Sequence, residues 1–204
     1  MTLAAGIDGG GAAALVVSAL AIMGSPGPAT ISLTALGSTY GVRRSLPYLA
    51  GIVAGTAAVL LAVATGLTAT LLAVPALRIA LIALSVAYIL RLAYHVATAP
   101  PLVVKSTTSP APAFAGGAVL GVTNPKAWVA IAAVFAGATL SRSAGADAAA
   151  KIAVLTAMIV VINAAWLAAG AALAPVLCDA RRARVVNVTL AVALVTATAI
   201  GIAH

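Results

Sequence analysis

The 204-residue chain has few charged, aromatic and cysteine residues, and each shortage excludes a class of protein. Charged residues make up 7%, against about 25% in a typical soluble domain, so a water-soluble globule of this length could not cover its surface. Aromatic residues make up 4%, and the basic residues stand singly or in short clusters, so the net charge of +8 does not indicate a nucleic-acid partner. With Cys178 as its one cysteine, the chain can form no intrachain disulfide and cannot be a thiol–disulfide carrier.

Residue types that bind metals or catalyse reactions are also scarce. His95 and His204 lie far apart in the sequence, and Asp8, Asp147 and Asp179 fall at the ends of apolar runs or between them. A metal site needs a cluster of Cys, His or carboxylate ligands, and a membrane-embedded enzyme needs a nucleophile, a metal set or paired carboxylates. We therefore expect no metal, no cofactor and no enzymatic activity.

Long apolar stretches are what the chain has in abundance. Hydrophobic residues make up 64% of it, and the mean hydropathy is +1.20. Because about 20 apolar residues in a helix cross about 30 Å of hydrocarbon, this pattern predicts an all-α integral membrane protein. The whole chain, 1–204, reads as a single transmembrane domain of about six helices. The expected spans are about 12–38, 45–73, 75–96, 113–140, 148–175 and 185–203.

One hydrophilic segment, residues 98–112, divides the chain nearly in half. It is rich in Pro, Ser and Thr, so we expect a linker there rather than a helix. Three spans lie in about 12–97 and three in about 113–203. Because three is odd, the two halves would insert into the membrane with opposite orientation.

The first span of each half contains a matching helix-breaking sequence. Gly24-Ser25-Pro26-Gly27-Pro28 interrupts the first span, and Gly121-Val122-Thr123-Asn124-Pro125 interrupts the fourth. Proline removes a backbone donor and opens a helix, and the freed backbone groups are tolerated where they line a cavity or are covered by protein. The pattern predicts two inverted three-helix repeats with broken first and fourth helices and a binding site between the breaks.

The basic residues between the spans predict the orientation in the cytoplasmic (inner) membrane. Seven Lys or Arg residues lie in segments opposite the termini, and three lie on the side of the termini. One of these three is Lys151, and Arg43 and Arg44 are expected in a loop on the opposite side. Since cytoplasmic loops carry the excess of Lys and Arg, we expect both termini outside.

Lys126 follows the second break directly and lies roughly 20 Å from either end of its expected span. A lysine stem is too short to reach water from there, so the ammonium should face the interior of the protein and have a partner. One interpretation is that Lys126 binds a substrate carboxylate or gates transport through its protonation. The other is that it satisfies backbone carbonyl groups freed by the first break.

Other polar residues within the spans are candidates for the site. Thr30 follows the first break, Thr56 lies in the second span, and Asn163 lies midway along the fifth span. An amide at that depth either bonds another helix or contacts the substrate. The expected substrate-binding or gating set comprises Gly27, Pro28, Thr30, Thr56, Asn124, Pro125, Lys126 and Asn163.

Several of these motifs resemble the lysine-exporter (LysE/RhtB) translocator family. They are Ser-Pro-Gly-Pro-Ala-Thr at 25–30, Tyr40-Gly41 with Arg43-Arg44, Ala-Tyr-Ile-Leu at 87–90 and Asn-Pro-Lys-Ala at 124–127. Their order and spacing agree with the family from about residue 12 to 203. The family usually has Asn in place of Thr30, and some members have Asp in place of Thr56.

The resemblance implies an exporter of amino acids or related metabolites, driven by the proton gradient and assembled as a homo-oligomer in lipid. The functional residues that it implies are Gly27, Pro28, Asn124, Pro125 and Lys126. Two alternatives stay open at this point. One is an exporter of another cargo, a cation or a lipid, and the other is a membrane subunit that transports nothing.

Overall fold

The computed structural model describes residues 8–66, 75–98, 113–173 and 179–203, and every regular element in these ranges is a helix. The all-helical expectation is therefore confirmed for the described part of the chain. The elements are α1 (Gly9–Ser18) with a π-helical turn (Ala19–Met23), α2 (Pro28–Ala64), α3 (Pro75–Ala97), α4 (Phe114–Thr123), α5 (Pro125–Ala136), α6 (Ala144–Ala172) and α7 (Ala180–Ala203). Apart from Thr98, the expected linker lies outside the described residues, as does the expected end of the second span.

Three helices begin before the boundaries that the apolar runs predict. α1 begins at residue 9 rather than 12, α6 at 144 rather than 148 and α7 at 180 rather than 185. Asp8 caps α1 by accepting a hydrogen bond from the Gly10 N–H at 3.0 Å, and Asp179 accepts one from the Arg182 N–H at 2.8 Å. Polar capping residues allow a helix to begin before its apolar part, so boundaries predicted from apolar runs alone begin too late.

The 37-residue α2 folds back on itself at Gly41. Gly41 has φ 76° and ψ 169°, a backbone conformation that side chains rarely allow. The Tyr48 hydroxyl donates to Ser32 Oγ at 3.3 Å although the two residues are 16 apart, a separation of about 24 Å along a straight helix. α2 therefore consists of two antiparallel arms, residues 28–40 and 42–64.

Our expectation of a loop around Arg43 and Arg44 is wrong, because the turn consists of Gly41 alone. Both arginines lie in the second arm. The Arg44 guanidinium lies 5.7 Å from the centre of the Tyr40 ring, across the turn. The Ser45 hydroxyl donates to the Leu36 carbonyl at 3.2 Å.

The helix breaks expected at Pro28 and Pro125 are confirmed. Residues 24–27 separate the π-helical turn from α2, and Asn124 separates α4 from α5 with a bend of 59°. Within the described residues, α6 is long and apolar enough to cross a membrane, α2 passes the same test when its 37 residues are taken together, and the bent pair α4–α5 adds a third span if it is counted as one. A multi-pass membrane protein follows from these helices.

Glycines bring the two halves of the chain into close backbone contact. Gly51 and Gly55 on α2 face Gly117 and Gly121 on α4. A Cβ on Gly51 would lie 2.1 Å from the Phe114 carbonyl oxygen. Such spacing of small residues is typical of tightly packed membrane helices.

The first arm of α2 makes the corresponding contact with α6. A Cβ on Gly170 would lie 2.1 Å from the Thr34 carbonyl oxygen, and a Cβ on Gly37 would lie 2.3 Å from that of Leu167. The first arm of α2 thus packs on the second half of the chain through α6, and the second arm does so through α4. These contacts place the two helix breaks in the same part of the molecule.

Lys151 corrects a further expectation, since it does not lie in a loop. It lies in α6 with 6% of its surface exposed, and its ammonium is 2.8 Å from a carboxylate oxygen of Asp147. The ammonium also lies 5.0 Å from the centre of the Phe135 ring. The other Asp147 oxygen accepts from the N–H groups of Leu140 and Ser141 at 2.6 and 3.1 Å. One turn of helix separates the two charges, so they pair and bury each other.

Candidate functional site

The first break begins with an opened helix turn. The Gly24 N–H donates to the Ala19 carbonyl at 3.2 Å, which closes the π-helical turn. The Ser25 hydroxyl then donates to the Ile22 carbonyl at 2.8 Å. Local bonds of this kind satisfy part of the backbone that the break frees, but the carbonyl groups of residues 24–26 need other donors.

The start of α2 is capped by Thr30. Its hydroxyl accepts a hydrogen bond from the Gly27 N–H at 2.8 Å and donates one to the Gly27 carbonyl at 3.1 Å. Pro28 occupies the first helical turn, where its missing N–H leaves no bond unmade. The helix N-terminus that these residues form carries partial positive charge.

The second break is a single residue. Asn124 ends α4 and caps α5, because its side-chain oxygen accepts from the Lys126 N–H at 3.2 Å. Pro125 occupies the first turn of α5, as Pro28 does in α2. The indole of Trp128 donates to the Val122 carbonyl at 2.7 Å. Neighbouring residues therefore satisfy this break.

Lys126 connects the two breaks. Its ammonium donates to the carbonyl oxygen of Ser25, to the Ser25 hydroxyl at 2.8 Å and to the Pro26 carbonyl at 3.1 Å. Three acceptors match the three N–H donors of an ammonium group. These are the contacts that the structural interpretation of Lys126 expects, since the freed carbonyl groups of the first break receive the charge.

Gly27 lies directly against the lysine stem. A Cβ at this position would be 2.6 Å from Lys126 Cδ and 3.1 Å from its Nζ. Carbon atoms cannot approach so closely, so with a side chain at residue 27 the lysine stem would have to leave the path that it follows to the first break.

Trp166 is a site residue that the sequence patterns did not select. Its indole N–H donates to the Gly24 carbonyl at 3.1 Å, across 142 residues of sequence. Two donors from the second half, Trp166 and Lys126, thus satisfy the first break. A buried indole usually finds a hydrogen-bond partner, which is the signal that could have directed attention to this residue.

A cavity of about 50 Å³ lies beside the two breaks. Six of the eight expected site residues line it, and the other two, Pro28 and Pro125, begin the helices that border it. The six are Gly27, Thr30, Thr56, Asn124, Lys126 and Asn163. Residues that the sequence patterns did not select complete the lining: Met23, Ala29, Ala127, Ala130, Ile131, Ile159 and Ile162.

Among the described residues, the cavity lining is apolar with a few polar groups and one cation, Lys126. No Asp or Glu belongs to it. Across the described part of the chain, no group of three or more His, Cys, Asp or Glu residues could hold a metal ion. A site of this composition can bind a small solute through hydrogen bonds and charge.

Comparison with known proteins gives one family. The sequence model of the LysE type translocator family matches residues 20–203. Searches of curated proteins and of solved structures gave no match.

Proposed function

The chain belongs to the LysE type translocator family, and from this premise we propose that it exports amino acids or related small metabolites across the cytoplasmic membrane, driven by the proton gradient. Members of this family are membrane translocators of small molecules rather than enzymes. What the proposal adds to the family membership is the cargo, amino acids or related metabolites, and the driving force, the proton gradient.

The observation that carries the proposal is the meeting of two helix breaks at one cavity. Lys126 at the second break bonds the backbone of the first, and residues from both breaks line the cavity. Broken helices that meet in this way are typical of secondary transporters, in which they form the substrate site.

The packing supports six spans arranged as two inverted repeats, about 12–97 and 113–203. In this arrangement α1 and the first arm of α2 form one broken span, and α4 with α5 forms its counterpart. The first arm of α2 packs on α6, and the second arm packs on α4. Each broken span thus contacts the second span of the other half, which is the reciprocal pairing that a repeat symmetry requires.

Lys126 is the gating group in this proposal. A cargo carboxylate is a stronger acceptor for an ammonium than the neutral oxygens of Ser25 and Pro26. Cargo binding therefore draws the ammonium away from the first break and leaves the Ser25 and Pro26 carbonyls without their donor. The break then changes shape, which couples occupancy of the cavity to the helices around it.

The test is efflux from cells loaded with dipeptides, which release amino acids inside. Wild type, Lys126→Met, Lys126→Arg and a strain lacking the protein are compared for all twenty amino acids. We expect wild type to export at least one amino acid. The efflux of Lys126→Met should be at least about tenfold lower than that of wild type, because a hydrogen bond to a charged group contributes about 1.5–3 kcal/mol. Lys126→Arg should fall between, since arginine keeps the charge but not the shape of lysine.

Equal efflux from wild type and the deletion strain for every amino acid would contradict amino-acid export. A cation, a lipid or a subunit without transport would then be the better interpretation. Normal transport by both Lys126 variants would contradict the gating role alone. A proton uncoupler should stop the efflux, and unchanged efflux would separate the driving force from the rest of the proposal.

The proposed orientation places both termini outside the cytoplasmic membrane. Its test uses a cysteine added at the C-terminus of a Cys178→Ser variant, in intact cells. An impermeant thiol reagent should label the added cysteine, and protection until the cells are opened would reverse the orientation.

A further inference from the structure

Asn163 belongs to the cavity lining, and its side chain has an unused hydrogen-bond acceptor. Its side chain is 6% exposed and belongs to the cavity lining. The amide nitrogen donates to the Ile159 carbonyl of its own helix at 2.7 Å. The amide oxygen is buried and has no partner among the described residues. An unpaired buried acceptor costs about 1–3 kcal/mol, so folded proteins rarely keep one without a use.

The two helix breaks add positive charge beside the same cavity, in contrast to the hydrogen-bond acceptor of Asn163. The N-termini of α2 and α5 begin at Pro28 and Pro125, beside residues that line the cavity, and Lys126 adds a full positive charge. Helix N-termini and lysine favour a carboxylate. The amide oxygen of Asn163 favours an N–H donor. The cavity therefore offers separate partners for the two ends of a zwitterion.

The wall between these polar groups is aliphatic and holds no counter-charge for a second cation. Ile131, Ile159 and Ile162 contribute to it, together with alanines of α5. A cargo side chain bearing an ammonium would enter a site that already contains Lys126 and that no carboxylate lines. Coulomb repulsion in such a partly desolvated site disfavours it.

We propose that Asn163 receives the amino group of the cargo through its side-chain oxygen, and that the aliphatic wall, which holds no carboxylate, restricts the transporter to small zwitterions with aliphatic side chains, excluding dibasic amino acids. This inference rests on the proposed function. It adds the residue that recognises the amino group and the charge class that the site rejects.

The test uses purified protein in liposomes, with labelled alanine, valine and lysine as probes. Asn163→Leu removes the acceptor and keeps the number and branching of the side-chain heavy atoms, and Asn163→Asp replaces the amide with a negative charge. Asn187, a buried asparagine of α7 that is not part of the cavity lining, provides matched controls as Asn187→Leu and Asn187→Asp.

Wild type should transport alanine and valine at least about tenfold faster than lysine. Asn163→Leu should lose about tenfold or more of the alanine flux, whereas Asn187→Leu should keep it. Asn163→Asp should gain lysine flux, because the new carboxylate supplies the missing counter-charge, and Asn187→Asp should not. A gain of flux cannot result from misfolding, so this arm does not depend on the stability of the variants.

The outcomes separate this inference from the proposed function. If wild type exports none of the twenty amino acids in the cell efflux test, the proposed function fails and the inference fails with it. If wild type transports alanine, and both Asn163 variants transport alanine and lysine as wild type does, the inference alone is overturned. Equal wild-type fluxes of alanine and lysine would overturn the charge selectivity.

Discussion

The two helix breaks share a proline but satisfy their backbone groups by different means. At the second break, Asn124 is the single residue between the helices, and its own side chain caps α5. Trp128, only six residues from Val122, donates to the carbonyl of that residue. This break is complete within a short stretch of sequence, so it does not require the rest of the molecule to hold it.

The first break depends on the other half of the chain. The carbonyl of Gly24 receives Trp166, and those of Ser25 and Pro26 receive Lys126, at sequence separations of 100 residues or more. A break held by distant donors changes shape when the donors move, whereas a locally capped break does not. From this comparison we expect the first break to be the movable one and the second to be the rigid support for Lys126.

The largest effect that this comparison predicts is that of Gly27→Ala. The added Cβ would overlap the lysine stem, so the stem would have to shift, and we expect the ammonium to be displaced from its acceptors at the first break. We expect efflux to fall about tenfold or more, because bonds to the ammonium contribute about 1.5–3 kcal/mol. Adding Lys126→Met should cause little further loss, since both changes remove the same contact.

Gly145→Ala is the control for this prediction, because a Cβ there meets nothing within 4 Å. It should leave efflux unchanged. Normal efflux from Gly27→Ala would mean that the lysine can leave the first break without consequence, and the comparison between the breaks would fail.

Substitution of the two tryptophans, one at each break, should have effects of intermediate size and tests the difference between the breaks. Trp166→Phe and Trp128→Phe each remove one indole donor to a carbonyl at a break. We expect each to lower the free energy of unfolding by about 1 kcal/mol, measured as the thermal midpoint in detergent. Only Trp166→Phe should also reduce efflux, by several-fold, because only that carbonyl belongs to the movable break. Equal efflux losses from the two variants would contradict this assignment.

A smaller effect is predicted for the cap of the second break. Asn124→Ala removes the acceptor for the Lys126 N–H and should cost about 1 kcal/mol of stability, as N-cap replacements generally do. Asn124→Ser keeps a capping oxygen and should restore most of the loss. The same thermal measurement decides, and an alanine variant as stable as wild type would show that the proline alone holds this break.

The smallest effect is that of Ser25→Ala. The change removes the hydroxyl acceptor of Lys126 but leaves the carbonyl groups of Ser25 and Pro26 in place. Efflux should change by less than about twofold, because the charged group keeps two of its acceptors. A loss of efflux as large as that of Lys126→Met would mean that the Ser25 hydroxyl, rather than the backbone carbonyl groups, keeps the Lys126 ammonium at the first break.

Part of the site could be predicted from sequence because some residue types, at certain positions, occur only in particular structural environments. Prolines within apolar runs located both breaks, and the depth of Lys126 indicated an internal partner. Asn163 was recognised as an amide at membrane depth, but not that one of its two polar groups bonds its own helix while the other stays unpaired. The indole of Trp166 indicates a hydrogen-bond partner but does not identify it. The isoleucines of the cavity wall have no such pattern, because apolar side chains in a membrane helix face lipid or protein with similar sequence.

The charged residues show the same division. The count of basic residues assigned Lys151 to a loop, yet Asp147 one turn earlier neutralises it within α6. The turn between the arms of α2 was expected around Arg43 and Arg44, and a single glycine makes it instead. In α6 the partner Asp147 allows the charged Lys151 to lie within the helix. In α2 the turn is made at Gly41, so Arg43 and Arg44 lie in the helical arm that follows it.

Composition and proline position by themselves determined that the chain is a helical membrane protein with breaks at Pro28 and Pro125. They could do so because solvent preference and the missing proline N–H act within one stretch of chain. Only the tertiary structure decided that Lys126 and Trp166 serve the first break, and that Asn163, whose amide oxygen has no partner among the described residues, belongs to the lining of the same cavity. These contacts join residues about one hundred or more positions apart, and packing of the two halves, rather than any local preference, brings them together.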